Sequence, residues 1–335
     1  MFLFFSVSSL VLSIFQQFGN HGYEEVAMKF FNNILYQMKH CPQEYIYYHI
    51  KAPWLQIKIL KIMQSFNPMV FNTETISHIK EYVDYIYKKT QSILLSDSKY
   101  ARYYAEYCIF FEVVNLIDLL NIKIGHRVFD NFLQLLGSFL QEDHRKFPNK
   151  DINTKYLALD SMAKLCKYTS GTNILNTHMK IIFGSLRDND ISIRRRALDL
   201  TFLICSNESV KMICKELLTY FQEDEPQLKE DVALKIAILS EKYASDLTWY
   251  IDTCLKMLEV AGDYVAEDVI FRFIQIITGF ENQDPNTQLQ LYAAEKVYKL
   301  LEKDFVYDSL IKLAAYLLGE FGYLLSQSIQ SLIKR

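Results

Sequence analysis

Apolar side chains return every third or fourth residue along almost the whole chain. Ile193, Ala197, Leu200 and Ile204 form one such row. Leu228, Val232, Ile236, Leu239 and Tyr243 form a second, and Val265, Val269, Phe273 and Ile276 a third. This spacing places each row on one face of an α-helix and spreads it over both faces of a strand. The pattern predicts helices over 4–17, 22–39, 53–66, 73–93, 101–120, 126–140, 153–168, 173–186, 190–205, 208–221, 226–243, 246–260, 264–279, 287–302 and 307–325. The breaks have local causes. Asn67-Pro68 and Asp284-Pro285 interrupt the pattern because a residue before proline is pushed out of the α region. Asp190 can cap the helix that follows it, and Pro226 suits a first turn. Glu223-Asp224-Glu225 and Glu267-Asp268 fall at helix starts, where the dipole favours negative charge.

The helices repeat as pairs. The stretch Arg187–Leu200 reads as an acidic loop running into a helix with arginines near its start and an inward-facing alanine. Related versions surround Ala158 and Ala233. Ala158, Ala197 and Ala233 are 39 and 36 residues apart, with Val269 another 36 on. Periods of roughly 36 to 40 residues with two helices each are the mark of stacked helical hairpins. The expected fold is therefore all-α, an α-solenoid of HEAT/armadillo-like hairpins forming one continuous domain over 1–335. Asp190 with Arg195 or Arg196 can then reach equivalent groups of adjacent repeats and fix their stacking.

Composition narrows the picture further. Half of the 335 residues are hydrophobic, and only 10 Gly and 6 Pro are present, too few for the turns of an all-β fold of this length. A net charge of −3 argues against nucleic acid as the main ligand, since phosphate binding needs a concentrated basic face. Arg194-Arg195-Arg196 does not supply one, because consecutive helical residues point in different directions. Tyr45-Ile46-Tyr47-Tyr48 lacks the interleaved cations of a single-strand stacking platform. The six cysteines form no CxxC pair, as expected of a reducing, cytosolic environment. No phosphate-binding loop, dinucleotide fingerprint, HExxH, GxSxG or metal-spaced Cys/His cluster occurs, so no catalytic, cofactor or metal residue is assigned. His144 lies among charges, within an inter-helix loop. Met1–Phe15 is uncharged and apolar like the core of a signal peptide. It has no preceding Lys or Arg and no small-x-small cleavage site, and it is too short to span a bilayer.

Several segments together resemble the adaptin large chains of clathrin adaptor complexes, the alpha type in particular. They are Tyr45–Tyr48 running into Ala52-Pro53-Trp54-Leu55-Gln56-Ile57-Lys58-Ile59-Leu60, then Asn153–Met162, Ile191–Leu200, and Leu234–Ala244 continuing through Thr248-Trp249-Tyr250-Ile251-Asp252-Thr253 to Ala261–Val265. Leu318-Gly319-Glu320-Phe321-Gly322 closes the series. The resemblance covers nearly the whole chain, including the first helix, which is similar to an ordinary trunk helix.

The resemblance implies a non-enzymatic trunk that assembles with a beta-type large adaptin and with medium and small adaptor chains. Such a complex binds phosphoinositides, selects cargo and recruits clathrin at the cytoplasmic face of the plasma membrane. The chain is expected to touch clathrin indirectly, to reach the membrane only peripherally and to bind no nucleic acid. It matches the middle and end of the trunk, without the family's basic phosphoinositide patch, hinge or appendage. No lipid-binding or accessory-binding residue is therefore carried over. A trunk beginning at residue 1 is expected to expose the inter-repeat face of helix 4–17 and to be poorly soluble alone. Structural roles in the repeat are assigned to Trp54, Ala158, Asp190, Arg195, Arg196, Ala197, Ala233 and Trp249. Two other readings stand: a different helical-repeat scaffold or transport receptor, or a secreted helical protein, for which Asn207-Glu208-Ser209 would be a glycosylation site.

Overall fold

A computed structural model describes residues 2–19, 22–23, 25, 28–29, 31–32, 41–48, 50–95, 104–120, 125–140, 151–168, 172–221, 226–279 and 286–333. Helices account for nearly all of them. α1 spans Phe2–Phe18, α2 Pro53–Gln64, α3 Thr73–Leu95, α4 Tyr104–Leu120, α5 His126–Leu140, α6 Ile152–Leu165, α7 Thr172–Ser185 and α8 Ile191–Leu203. α9 spans Val210–Tyr220, α10 Lys229–Lys242, α11 Leu247–Ala261, α12 Glu267–Thr278, α13 Thr287–Leu301 and α14 Asp308–Ile333. Of the expected helix 22–39, residues 25, 28, 29, 31 and 32 are helical, residues 22 and 23 are not, and the others lie outside the described residues. His144, Glu223–Glu225 and Asp284-Pro285 also lie outside them.

Two compact units divide the chain, Met1–Leu203 and Ile204–Arg335. In the first, α2 packs on α4, α4 on α6 and α6 on α8, while α3 packs on α5 and α5 on α7. Sequence neighbours α3–α4, α5–α6 and α7–α8 pack as well. From α3 to α8 each helix therefore meets its partner in the hairpin and the equivalent helix one hairpin away, which is how stacked hairpins bury two faces each. The second unit follows the same rule. There α9 packs on α11 and α11 on α13, α12 packs on α14, and the sequential pairs α9–α10, α10–α11 and α13–α14 close the hairpins.

The predicted apolar rows lie inside. Ile193, Ala197 and Leu200 are fully buried, as are Val232, Ile236 and Leu239. The third row is offset by one position: Ile270, Phe273 and Ile277 are buried, whereas Val269 and Ile276 are half-buried. The helix there begins only at Glu267, after a 3₁₀ turn at Gly262–Tyr264, and that start fixes which stripe turns inward. Another 3₁₀ turn, Pro226–Leu228, leads into α10, so Pro226 stands just outside the helix. Asn67 keeps an extended backbone before Pro68, and its side chain accepts from the Met69 N–H. The last helix runs on past residue 325 to Ile333, since its Ser- and Gln-rich end contains no Gly or Pro to stop it.

One small sheet interrupts the helices. β1 (Ile46–Tyr47) and β2 (Ile50–Lys51) pair antiparallel, Ile46 opposite Lys51 and Tyr47 opposite Ile50. On α1, the Leu3, Val7 and Leu10 side chains form an exposed apolar stripe. No helix among the described residues is long and apolar enough to cross a membrane.

Candidate interaction surface

The acidic loop before α8 builds the most polar junction of the first unit. Asp190 caps α8 as expected, its Oδ1 accepting from the Ser192 N–H at 2.7 Å. Its own N–H donates to Oδ1 of Asp188 at 3.0 Å. It is Asp188, however, that reaches the neighbouring hairpin. Lys155 of α6 donates to its Oδ2 at 2.5 Å, and Arg194 Nη1 donates to its carbonyl oxygen at 3.1 Å. Burial pushes the Asp188 carboxyl up, but the Lys155 bond, the Asp190 N–H and the charges of Lys155 and Arg194 outweigh it. The group is held below the ordinary carboxylate value.

The three arginines diverge, as consecutive helical positions must. Arg194 is buried, Arg195 is exposed and Arg196 lies along the α6–α8 seam. Arg196 donates from Nε and Nη2 to the Tyr156 hydroxyl at 3.0 and 2.9 Å, and its Nη1 lies 3.4 Å from Asp160. Arg195 has no partner among the described residues and takes no part in the stacking expected of it. With Asn153, Tyr156, Ser192 and Asp199 it lines an open groove of about 540 Å³ between the starts of α6 and α8.

The other assigned positions divide between interior and surface. Ala158 on α6 and Ala197 on α8 are 0% exposed, where two stacked helices approach each other. Ala233 on α10 is buried in the second unit. Trp249 on α11 is half-buried, and the Lys211 ammonium of α9 lies 5.9 Å from its ring centre. Trp54 on α2 is 54% exposed and faces solvent beside the β-hairpin.

Polar ties recur between stacked helices at residues that the sequence pattern does not single out. Glu112 of α4 receives Gln64 at 3.0 Å and Lys61 at 3.6 Å from α2. Asn115 of α4 receives Lys164 of α6 at 2.9 Å. In the second unit Arg272 of α12 meets Glu241 of α10 at 2.6 Å, and Lys312 of α14 meets Glu267 of α12 at 3.1 Å. Asp252 of α11 accepts from Tyr292 at 2.9 Å and from Lys296 of α13 at 2.8 Å, and Glu259 accepts from Lys303. The only available signal is a donor and an acceptor side chain 31 to 51 residues apart, in either order.

Nothing in these junctions is arranged for bond-making chemistry. Burial raises the thiols of Cys205 and Cys166 to about 11 and those of Cys214 and Cys254 to about 12, so none is a ready thiolate. Among the described residues no group of three or more His, Cys, Asp or Glu is placed to hold a metal ion.

Comparison with known proteins agrees with this picture. A family model described as the adaptin N terminal region matches residues 7–335. The chain is 35% identical over 286 residues to the AP-2 complex subunit alpha-1 of Arabidopsis thaliana, covering 85% of this chain and 26% of that protein. It is 33% identical over 294 residues to the AP-2 complex subunit alpha-2 of Dictyostelium discoideum, covering 88% and 28%. Against the AP-2 complex subunit alpha of Schizosaccharomyces pombe, identity is 27% over 283 residues, covering 84% and 30%. The matched stretch thus spans less than a third of these curated relatives.

Proposed function

We propose that this chain, which belongs to the adaptin N-terminal region family, is a non-enzymatic scaffold subunit of a clathrin adaptor complex. In this reading it assembles with a beta-type large adaptin, a medium chain and a small chain. It works in vesicle-mediated protein transport at the cytoplasmic face of the plasma membrane, in clathrin-coated pits. It meets the membrane peripherally and clathrin through the complex. The supporting observation is the continuous match to AP-2 alpha subunits over 84–88% of the chain. The physical case agrees with it. Stacked hairpins present long surfaces made of many exposed helix faces, suited to holding several proteins at once.

We read residues 1–335 as one trunk-type array, with Ala158, Asp190, Arg196, Ala197, Ala233 and Trp249 as structural positions of its repeats and with Trp54 and Arg195 as surface positions. Co-expression of the full chain with the small, medium and beta adaptor chains of its own organism tests the function. Co-elution of all four as one species supports it. A chain that elutes alone, while the other three are folded and present, refutes it. Co-purification with a nuclear-transport or phosphatase partner instead would favour a different helical-repeat scaffold. Limited proteolysis tests the single array, which predicts no preferred cleavage near residues 203–204.

A further inference from the structure

The cleft beside the β1–β2 hairpin has no part in helix stacking. It encloses about 450 Å³ and is lined by Phe5 of α1, by Glu44, Tyr45, Ile46 and Tyr47, and by Trp54 at the start of α2. The Tyr47 and Trp54 rings meet as a corner, 5.0 Å between centres and inclined by 65°. Tyr48 closes edge-on against Tyr47 at 4.6 Å. All three rings are exposed to solvent. The backbone that carries them is held in a conformation that side chains rarely adopt. Tyr48 (φ +44°) and Ala52 (φ +43°) are the only non-glycine residues with positive φ among the described ones. Strain of this kind persists only where surrounding structure imposes it, and it gathers at binding sites. Here the Ala52 N–H donates to the Tyr45 carbonyl at 2.8 Å and Gln56 Nε2 to the Lys51 carbonyl at 2.5 Å, clamping the hairpin to α2.

The lining selects a charge. Aromatic faces carry negative potential and attract cations, and Glu44 is the one charged residue of the lining. The cleft's own edge shows the preference, since the Lys58 ammonium sits 3.8 Å over the centre of the Phe5 ring. Hydrogen-bond acceptors are few in so apolar a lining, which disfavours an ordinary ammonium with three N–H groups to satisfy. Methylation keeps the charge and replaces those donors with apolar surface.

We propose that this cleft binds a methylated ammonium group carried on a lysine side chain of a partner protein. The cation rests against Tyr47 and Trp54 with Glu44 alongside, and the four-carbon stem lies along Ile46 and Leu55. A choline headgroup has the same cation, but its phosphate would face Glu44, and Lys58 at the cleft's edge is already engaged by the Phe5 ring and Ser9.

The chain has two tryptophans, so 5-fluorotryptophan gives one ¹⁹F signal from Trp54 and one reference signal from Trp249. The full chain is titrated with a trimethyl-lysine peptide, with the same peptide carrying the neutral tert-butyl isostere, and with phosphocholine. The trimethyl-lysine peptide should shift the Trp54 signal saturably and leave Trp249 unmoved. The isostere should bind roughly tenfold more weakly, because only the cation–ring attraction is removed. By calorimetry, Glu44→Gln should weaken binding several-fold and Trp54→Phe should retain part of it. Trp54→Ala, at an exposed position, should abolish binding with an unchanged melting curve. Equal binding of the isostere would make the cleft a plain apolar pocket and overturn the proposal. Tighter binding of phosphocholine, or no Trp54 shift at millimolar peptide, would overturn it as well.

Discussion

The sharpest test of the packing lies at Lys89 and Glu106. Glu106 on α4 is 0% exposed, and its Oε2 accepts from Lys89 of α3 at 2.7 Å, while the lysine side chain is 26% exposed. The two partners are therefore unequal. Removing the lysine strands a carboxylate that has already lost its water, whereas removing the carboxylate leaves a lysine that solvent can still reach. With charge centres about 4 Å apart and an effective dielectric near 20, the attraction is on the order of 4 kcal/mol. Lys89→Met should then cost about 3 kcal/mol, within the usual range for breaking a buried pair. Glu106→Gln keeps the shape and an acceptor for the lysine and should cost about 1 kcal/mol. The double variant Lys89→Met/Glu106→Met, with no buried charge left, should return to within ~1 kcal/mol of the parent. Because the chain divides into two compact units, amide exchange in α3 and α4 is a better readout than a global melt. Equal costs for the two single variants, or a double variant as weak as Lys89→Met, would refute the argument that stranded charge sets the penalty.

Further tests follow from the same structure. A Cβ at Gly137 of α5 would lie 2.2 Å from the His178 ring, whereas one at Gly184 of α7 meets nothing within 4 Å. Gly137→Ala should therefore cost about 2 kcal/mol or more in chemical denaturation, while Gly184→Ala should gain up to ~1 kcal/mol from helix propensity. Acidification should weaken the first unit at two places. Asp188 is held below its ordinary value, so its contribution is complete above about pH 4 and is lost as pH falls through the folded value. Burial lowers the pKa of His178, so the unfolded chain takes up that proton first and stability begins to fall below about pH 6.5. Asp188→Asn and His178→Gln should each flatten their own part of the stability–pH curve. Along α8, Arg196→Ala should lower stability and Arg195→Ala should not, since only Arg196 bonds across the seam. Charged replacements of Leu3 and Leu10 on the exposed stripe of α1 should raise solubility without lowering the melting temperature, as dynamic light scattering would show.

What the sequence displays plainly is whatever depends on near neighbours. The helix 126–140 has the bounds its apolar spacing predicts, and the Asp190 cap needs only the two residues after it. Asp188, two positions earlier, reads the same way locally. Its partner Lys155 is 33 residues distant, so no local pattern separates the carboxylate that caps from the one that ties hairpins together. The β-hairpin was hidden for another reason. Its strands are two residues each, and its turn depends on positive φ at Tyr48, a residue that rarely adopts it. The inward register of α12 escaped because Val269 and Ile270 are both apolar. The choice between them falls to the turn at Gly262, where φ is +49° and the Tyr307 ring occupies the space of a Cβ.

The ion pairs between stacked helices of the second unit are too exposed to hold the stack together. In the Glu241–Arg272, Asp252–Lys296 and Glu267–Lys312 pairs every side chain is more than a third exposed, and such pairs contribute little to stability. Cohesion must come from the buried rows, in which Ala197, Ile236, Val297 and Leu313 lose all contact with water. Apolar rows are permissive about register, however, since a slip of one turn replaces one Leu or Ile contact with another. The same slip would separate each of these pairs by about 5.4 Å and leave its carboxylate and cation unmatched. The second unit carries such pairs on both of its helix rows, α10–α12–α14 and α11–α13, so a slip of either row is opposed. The ladder of ion pairs is therefore a device for register rather than for cohesion.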